Sequence, residues 1–96
     1  MKVVGRSILA TFCSRHADAR GWTQSWLAEV EIVEWTDPHQ IKARYASASF
    51  LSDNRVIFNV RGNRYRLETV IAYRTGVVFI EWAGTHADYD ARHRRG

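Results

Sequence analysis

Apolar residues follow two different spacings along this chain, a strand-like one in the second half and a helical one in the first. Between Arg55 and Ala83, three runs rich in Val, Ile, Phe and Tyr are parted by the turns RGN and TG. That is the pattern of antiparallel strands joined by hairpins. The runs predict strands over Arg55–Arg61, Arg64–Arg74 and Val77–Ala83. Side chains alternate across a strand, so Arg64, Arg66 and Glu68 share one face and Tyr65, Leu67, Thr69, Ile71 and Tyr73 the other. Val56, Phe58 and Val60 likewise oppose Ile57 and Asn59. In the last run, strict alternation separates Phe79 from Ile80 and Trp82. A single bulge would exchange those faces, so the pattern leaves the register open.

The first half predicts a helical cover for that sheet. Lys2-Val3-Val4 is a short apolar start suited to the sheet's edge, broken by Gly5-Arg6-Ser7. Ile8, Leu9, Phe12 and Cys13 then recur at helical spacing. Arg15 to Asp18 closes that helix, with Asp18 placed to cap the next. A second helix is predicted from about Ala19 to Glu34, with Trp22, Trp26, Leu27, Val30 and Val33 as its core stripe. Gly21 weakens its first turn by roughly 1 kcal/mol relative to Ala. Asp37-Pro38 restarts the chain as a third, short helix over Pro38–Arg44, because Asp accepts from free amides and Pro suits the first helical position. A turn and a short strand near Ser49–Leu51 lead into the hairpins. The end of the chain, from Ala91 to Gly96, has no apolar anchor and reads as a mobile basic tail.

Composition narrows the class. The 96 residues suit one small domain spanning 1–96. The single cysteine, Cys13, excludes an internal disulfide framework. No run resembles a leader or a membrane span, so the expected setting is cytoplasmic, with no membrane partner. The net charge is +4 and the cations are nearly all arginine. Guanidinium binds phosphate through paired hydrogen bonds and stacks on bases, so an anionic partner is favoured. The four histidines do not fall at metal-ligand spacing, and Cys13 has no histidine beside it in sequence. No Gly-rich phosphate loop is present, and neither metal nor cofactor is expected.

Taken in order, the helices, then IKARYASASF, NRVIFNVRGNRYRL, a run ending in IAY, an apolar strand and GTHADYD make the chain similar to a known family. It resembles the HigB toxins of type II toxin–antitoxin systems, part of the wider RelE-like group of mRNA endonucleases. The resemblance covers nearly the whole chain. It implies an α+β fold, with N-terminal helices packed on a curved antiparallel β-sheet. It also implies metal-free cleavage of mRNA on the translating ribosome. The implied partner is a cognate antitoxin, HigA-like with a helix-turn-helix DNA-binding fold, holding the toxin in a heterocomplex.

Such cleavage needs the 2′-OH deprotonated, the phosphorane charge stabilised and the 5′-oxygen protonated as it leaves. The expected ends are a 2′,3′-cyclic phosphate and a 5′-OH. Arg66 lies on the strand where RelE-like toxins place a catalytic arginine, and is the first choice for holding the scissile phosphate; the plainer reading is a solvated cation beside Arg64. His86 follows the last strand and can serve as acid or base near neutral pH, or simply cap a turn. Tyr89 can stack on a base, orient the nucleophile or donate a proton, or else plug the sheet's end. Asp90 can tune His86 or begin a polar turn. Asn63 can touch RNA, although its turn also favours Asn. Lys42, Arg44, Arg61, Arg64 and Arg74 are candidates for positioning an RNA backbone, the alternative being solvated surface. Two rival functions fit the same residues: a non-catalytic RNA- or protein-binding module using the basic sheet, and a stand-alone ribonuclease.

Overall fold

A computed structural model describes residues 1–93. The chain runs β1 (Lys2–Val4), α1 (Arg6–Arg15), a 3-10 turn (Ala17–Ala19), α2 (Arg20–Ile32), α3 (Pro38–Arg44), β2 (Ser49–Phe50), β3 (Arg55–Val60), β4 (Tyr65–Ala72), β5 (Val77–Thr85) and α4 (His86–His93). The five strands form one sheet in the order β1-β5-β4-β3-β2. The architecture is α+β, as the pattern implied.

The inner face of the sheet holds the core. Val56, Phe58, Val60, Tyr65, Leu67, Thr69, Ile71, Val78 and Ile80 are all buried there. α1 meets them with Leu9, Phe12 and Cys13, and α2 with Thr23, Trp26 and Val30. The polar members are satisfied: the Thr23 hydroxyl donates to the Arg20 carbonyl at 3.0 Å and lies 3.1 Å from Cys13 Sγ, while Thr69 Oγ1 donates to the Val56 carbonyl. α3 begins as its sequence dictates, with Pro38 in the first turn and the Asp37 carboxylate accepting from the amides of His39 and Gln40. No helix among the described residues is long and apolar enough to cross a membrane.

Four expectations are corrected. The sheet is mixed rather than wholly antiparallel, because β1 pairs in parallel with β5. β1 enters beside the start of β5, with the Lys2 amide on the Gly76 carbonyl at 2.7 Å. Gly5, at φ +96, then turns the chain so close over β5 that a Cβ there would lie 2.6 Å from the Ile80 carbonyl oxygen. Only glycine accepts both the left-handed backbone and that approach.

The second helix is not continuous from Ala19 to Glu34. A 3-10 turn precedes it, and Val33 is already extended. Asp18 does not cap it; its carboxylate accepts instead from Tyr65 and Arg64.

The third correction is a bulge. β4 and β5 slip by one residue, pairing Thr69 with Ile80 and Glu68 with Trp82, which leaves Glu81 as the extra residue. Ile80 therefore stays in the core, while Trp82 joins Phe79 on the outer face.

Last, the chain after β5 is not a tail from Ala91. Ala91, Arg92 and His93 belong to α4, which starts where Thr85 Oγ1 accepts the Asp88 amide at 3.0 Å, in the manner of an N-cap. The remainder of the expected tail, 94–96, lies outside the described residues.

Candidate active site

The outer face of the sheet carries residues in rows set by strand register. One row runs Asn59, Arg66, Gly84 and the next Ile57, Glu68, Trp82. A third runs Arg55, Val70, Phe79, Val4. α4 contacts the first two rows. Phe79 and Val4, in the third, stay exposed. Gly84 is needed in its row, since a Cβ there would lie 2.7 Å from the Trp82 ring. With glycine, that ring packs over the strand beside the position paired with Arg66.

Arg66, His86 and Tyr89 meet over this surface. Arg66 Nη2 lies 2.9 Å from His86 Nε2. A guanidinium can only donate, so Nε2 is the acceptor and the imidazole proton sits on Nδ1. Arg66 Nη1 is buried and has no hydrogen-bond partner among the described residues. The guanidinium carbon stands 5.8 Å from the centre of the Tyr89 ring. That ring also packs at 5.9 Å on Trp82 and at 4.3 Å on His93. Burial, aided by the Glu68 carboxylate, pushes the Tyr89 phenol above its usual value, so it remains protonated at neutral pH.

His86 is the first residue of α4, and its amide donates to the Arg64 carbonyl at 3.0 Å. One turn on, Asp90 Oδ2 lies 3.4 Å from the same Nε2 that faces Arg66. The imidazole thus has two neighbours of opposite sign. While neutral it accepts from Arg66; on gaining a proton at Nε2 it turns into a donor suited to Asp90. Once freed from Arg66, the Nε2 lone pair is available to accept a proton.

The other candidates are dispersed. Arg61, Asn63 and Arg64 form the β3–β4 loop at the same end of the sheet as Arg66, with Arg61 and Gly62, not Asn63, in the left-handed region. Arg64 is paired with Asp18 at 2.7 Å. Arg44 is paired with Glu29 at 2.8 Å, its guanidinium over the Tyr45 ring. Lys42 donates to the Ala48 carbonyl. Arg74 follows β4, at the end of the sheet remote from Arg66. A cleft of about 560 Å³ opens between α1, the free edge of β5 and α4, but Arg66, His86 and Tyr89 do not line it.

Three residues of this surface were not singled out from the sequence: Trp82, Arg92 and Glu68. The bulge hid Trp82. The signal for α4 was present as Thr-x-x-Asp at residues 85–88, a helix-start pattern just before His86 and Tyr89. Among the described residues, no group of three or more His, Cys, Asp or Glu could hold a metal ion.

A five-stranded sheet backed by N-terminal helices, with an arginine, a histidine and a tyrosine gathered under a C-terminal helix, fits the toxic component of a toxin–antitoxin system of the RelE-like kind. The family model bearing that description matches residues 19–92. The chain belongs to the HigB toxin family. Comparison with curated proteins finds no match.

Proposed function

We propose that this toxin is a metal-free endoribonuclease that cuts mRNA on the translating ribosome in the cytoplasm. In this reading a HigA-like, helix-turn-helix antitoxin silences it in a heterocomplex. One observation carries the proposal: Arg66 holds His86 Nε2 at 2.9 Å while its second terminal nitrogen, the buried Nη1, lacks an acceptor among the described residues. A phosphate supplies two oxygens to such a fork.

The reaction then follows from the groups present. The scissile phosphate takes the Arg66 donors and displaces Nε2. The freed Nε2 removes the proton of the 2′-OH, and the resulting oxygen attacks phosphorus. The P–O5′ bond breaks as the Tyr89 phenol gives its proton to the leaving oxygen. The products are a 2′,3′-cyclic phosphate and a 5′-OH. Arg66 offsets the charge of the phosphorane, and Asp90 stabilises the imidazolium formed on His86.

The test is inducible expression of wild type and Arg66→Ala, with primer extension across an abundant mRNA. Growth arrest with new in-frame 5′ ends is expected for wild type. Both should vanish in a folded Arg66→Ala, whose rate should fall roughly 10³-fold. Folded wild type that yields neither overturns the reading in favour of a non-catalytic binding module. Equal cleavage of naked RNA would indicate a stand-alone ribonuclease.

A further inference from the structure

The centre of the outer face holds a carboxylate that the proposed reaction does not use. Glu68 is 2% exposed, in the row between Ile57 and Trp82. Its Oε2 accepts from Arg55 Nη1 at 2.6 Å and from Arg92 Nη2 at 3.2 Å. Its Oε1 lies 3.2 Å from His93 Nε2. Arg55 belongs to the neighbouring strand, whereas Arg92 and His93 form the last turn of α4.

The helix gripped this way sinks no side chain into the core. α4 has eight residues and none is buried. Helices that short are marginal in water without tertiary contacts. Tyr89 and Arg92 lie against Trp82, and the first turn is tied to the sheet by Thr85, by the His86 amide on the Arg64 carbonyl and by the His86 ring on Arg66. Burying a carboxylate costs several kcal/mol unless it is well paired, so an aliphatic residue would cover the sheet at lower cost. What the aliphatic residue would not provide is direction. The two oxygens of Glu68 fix both the height and the rotation of the last turn of α4. His86 and Tyr89 ride on the same helix.

We propose that Glu68, oriented by Arg55, is a positioning residue of the active site: it holds α4 so that His86 Nε2 and the Tyr89 phenol stand over Arg66. Glu68 bonds to Arg55, Arg92 and His93 rather than to Arg66, His86 or Tyr89, so it acts through α4, its carboxylate adding to the field that raises the Tyr89 phenol. The proposal rests on the ribonuclease reading for its effect on rate, but not for its effect on the helix.

Two variants test it, Glu68→Gln and the pair Arg92→Gln/His93→Gln, the latter leaving the Glu68–Arg55 contact untouched and so sparing the sheet. Single-turnover cleavage is measured on ribosomes programmed with an mRNA of defined sequence, alongside binding to those ribosomes and amide hydrogen exchange. Both variants should lower the cleavage rate by roughly 10²-fold, the penalty of about 1 Å of misplacement, with unchanged half-saturation. Protection should fall in residues 86–93 in both variants, and in Arg92→Gln/His93→Gln it should stay unchanged in β3 and β4. Combining the variants should add little to the loss seen in Glu68→Gln, because the contact of Glu68 with α4 is common to both. A wild-type rate in either variant, losses that multiply, or a rate that falls only with global unfolding would each overturn the proposal. Should wild type cut no RNA, the exchange measurement still decides: loss of protection confined to 86–93 retains Glu68 as the anchor of α4, and unchanged protection removes it.

Discussion

α2 and α4 cover opposite faces of one sheet, and they are attached differently. α2 sinks Trp26 and Val30 out of solvent, with the Trp26 ring edge-on to Phe58 at 5.4 Å. α4 buries no residue and is held by Glu68 at its last turn, by the Thr85 cap, by His86 on Arg64 and Arg66, and by Tyr89 and Arg92 against Trp82. Apolar burial is strong and nearly without direction, and it suits a cover whose task is to exist. Ion pairs and hydrogen bonds contribute less net stability but specify geometry. They suit a cover that, in the proposed reaction, places a histidine and a tyrosine. The inner face of the sheet carries the apolar burial, and the outer face carries the candidate site.

That division can be broken from either side. The largest effect is expected on the α2 side. Trp26→Ala should cost about 3–5 kcal/mol, a large share of the ~5–15 kcal/mol that stabilises a small domain. Chemical denaturation would register it as a shifted midpoint, with α4 lost along with everything else. Trp26→Phe should be far milder, since Trp26 Nε1 has no partner among the described residues to lose.

On the α4 side, Tyr89→Phe keeps the ring against Trp82 and removes only the hydroxyl. It should lower ribosome-dependent cleavage by roughly 10²-fold, as expected for loss of a general acid, while leaving the denaturation midpoint unchanged. A variant that cuts at the wild-type rate would reduce Tyr89 to a packing residue.

The smallest effect sharpens the boundary between the two regions. Asp18 ties the turn before α2 to the start of β4, accepting from Tyr65 at 2.6 Å and Arg64 at 2.7 Å. The Tyr65 hydroxyl, and then Arg64, hold the Asp18 carboxyl below the usual carboxylate range, and the same bond raises the Tyr65 phenol. A depressed carboxyl gives stability that is present above the unfolded value near 3.9 and is lost as pH falls through the folded one. A raised phenol gives stability that is present below about pH 10 and is lost as pH climbs beyond it. Urea midpoints should therefore decline at both extremes, and Asp18→Asn should flatten the acid limb. Phenolate absorbance should show Tyr45 ionising late, since burial pushes its phenol to about 12.

The two faces also differ in how far they can be read from the residues alone. The stripe of α2, the Asp37-Pro38 start of α3 and the inner face of β4 all announce themselves, because apolar burial leaves a periodic trace over neighbouring residues. α4 leaves no such trace. Its partners Glu68 and Trp82 come from β4 and β5, and its one local mark is Thr85 with Asp88. Arg44 and Arg64 look alike as free cations in sequence, yet their acids stand 15 and 46 positions away. Arg66 and His86 were recognisable by residue type and place, but their contact spans 20 positions and is created by the pairing of β4 with β5.

The surplus residue in β5 has a consequence for how such a strand can change in length. Excising Leu67 from β4 would reverse the facing of the residues beyond it. Excising Glu81 would let Ile80 and Trp82 keep the partners they already have, Thr69 and Glu68. The strand would lose only its kink. Here the chain carries one codon of slack, sited between the part of β5 that builds the core and the part that delivers α4 to the outer face.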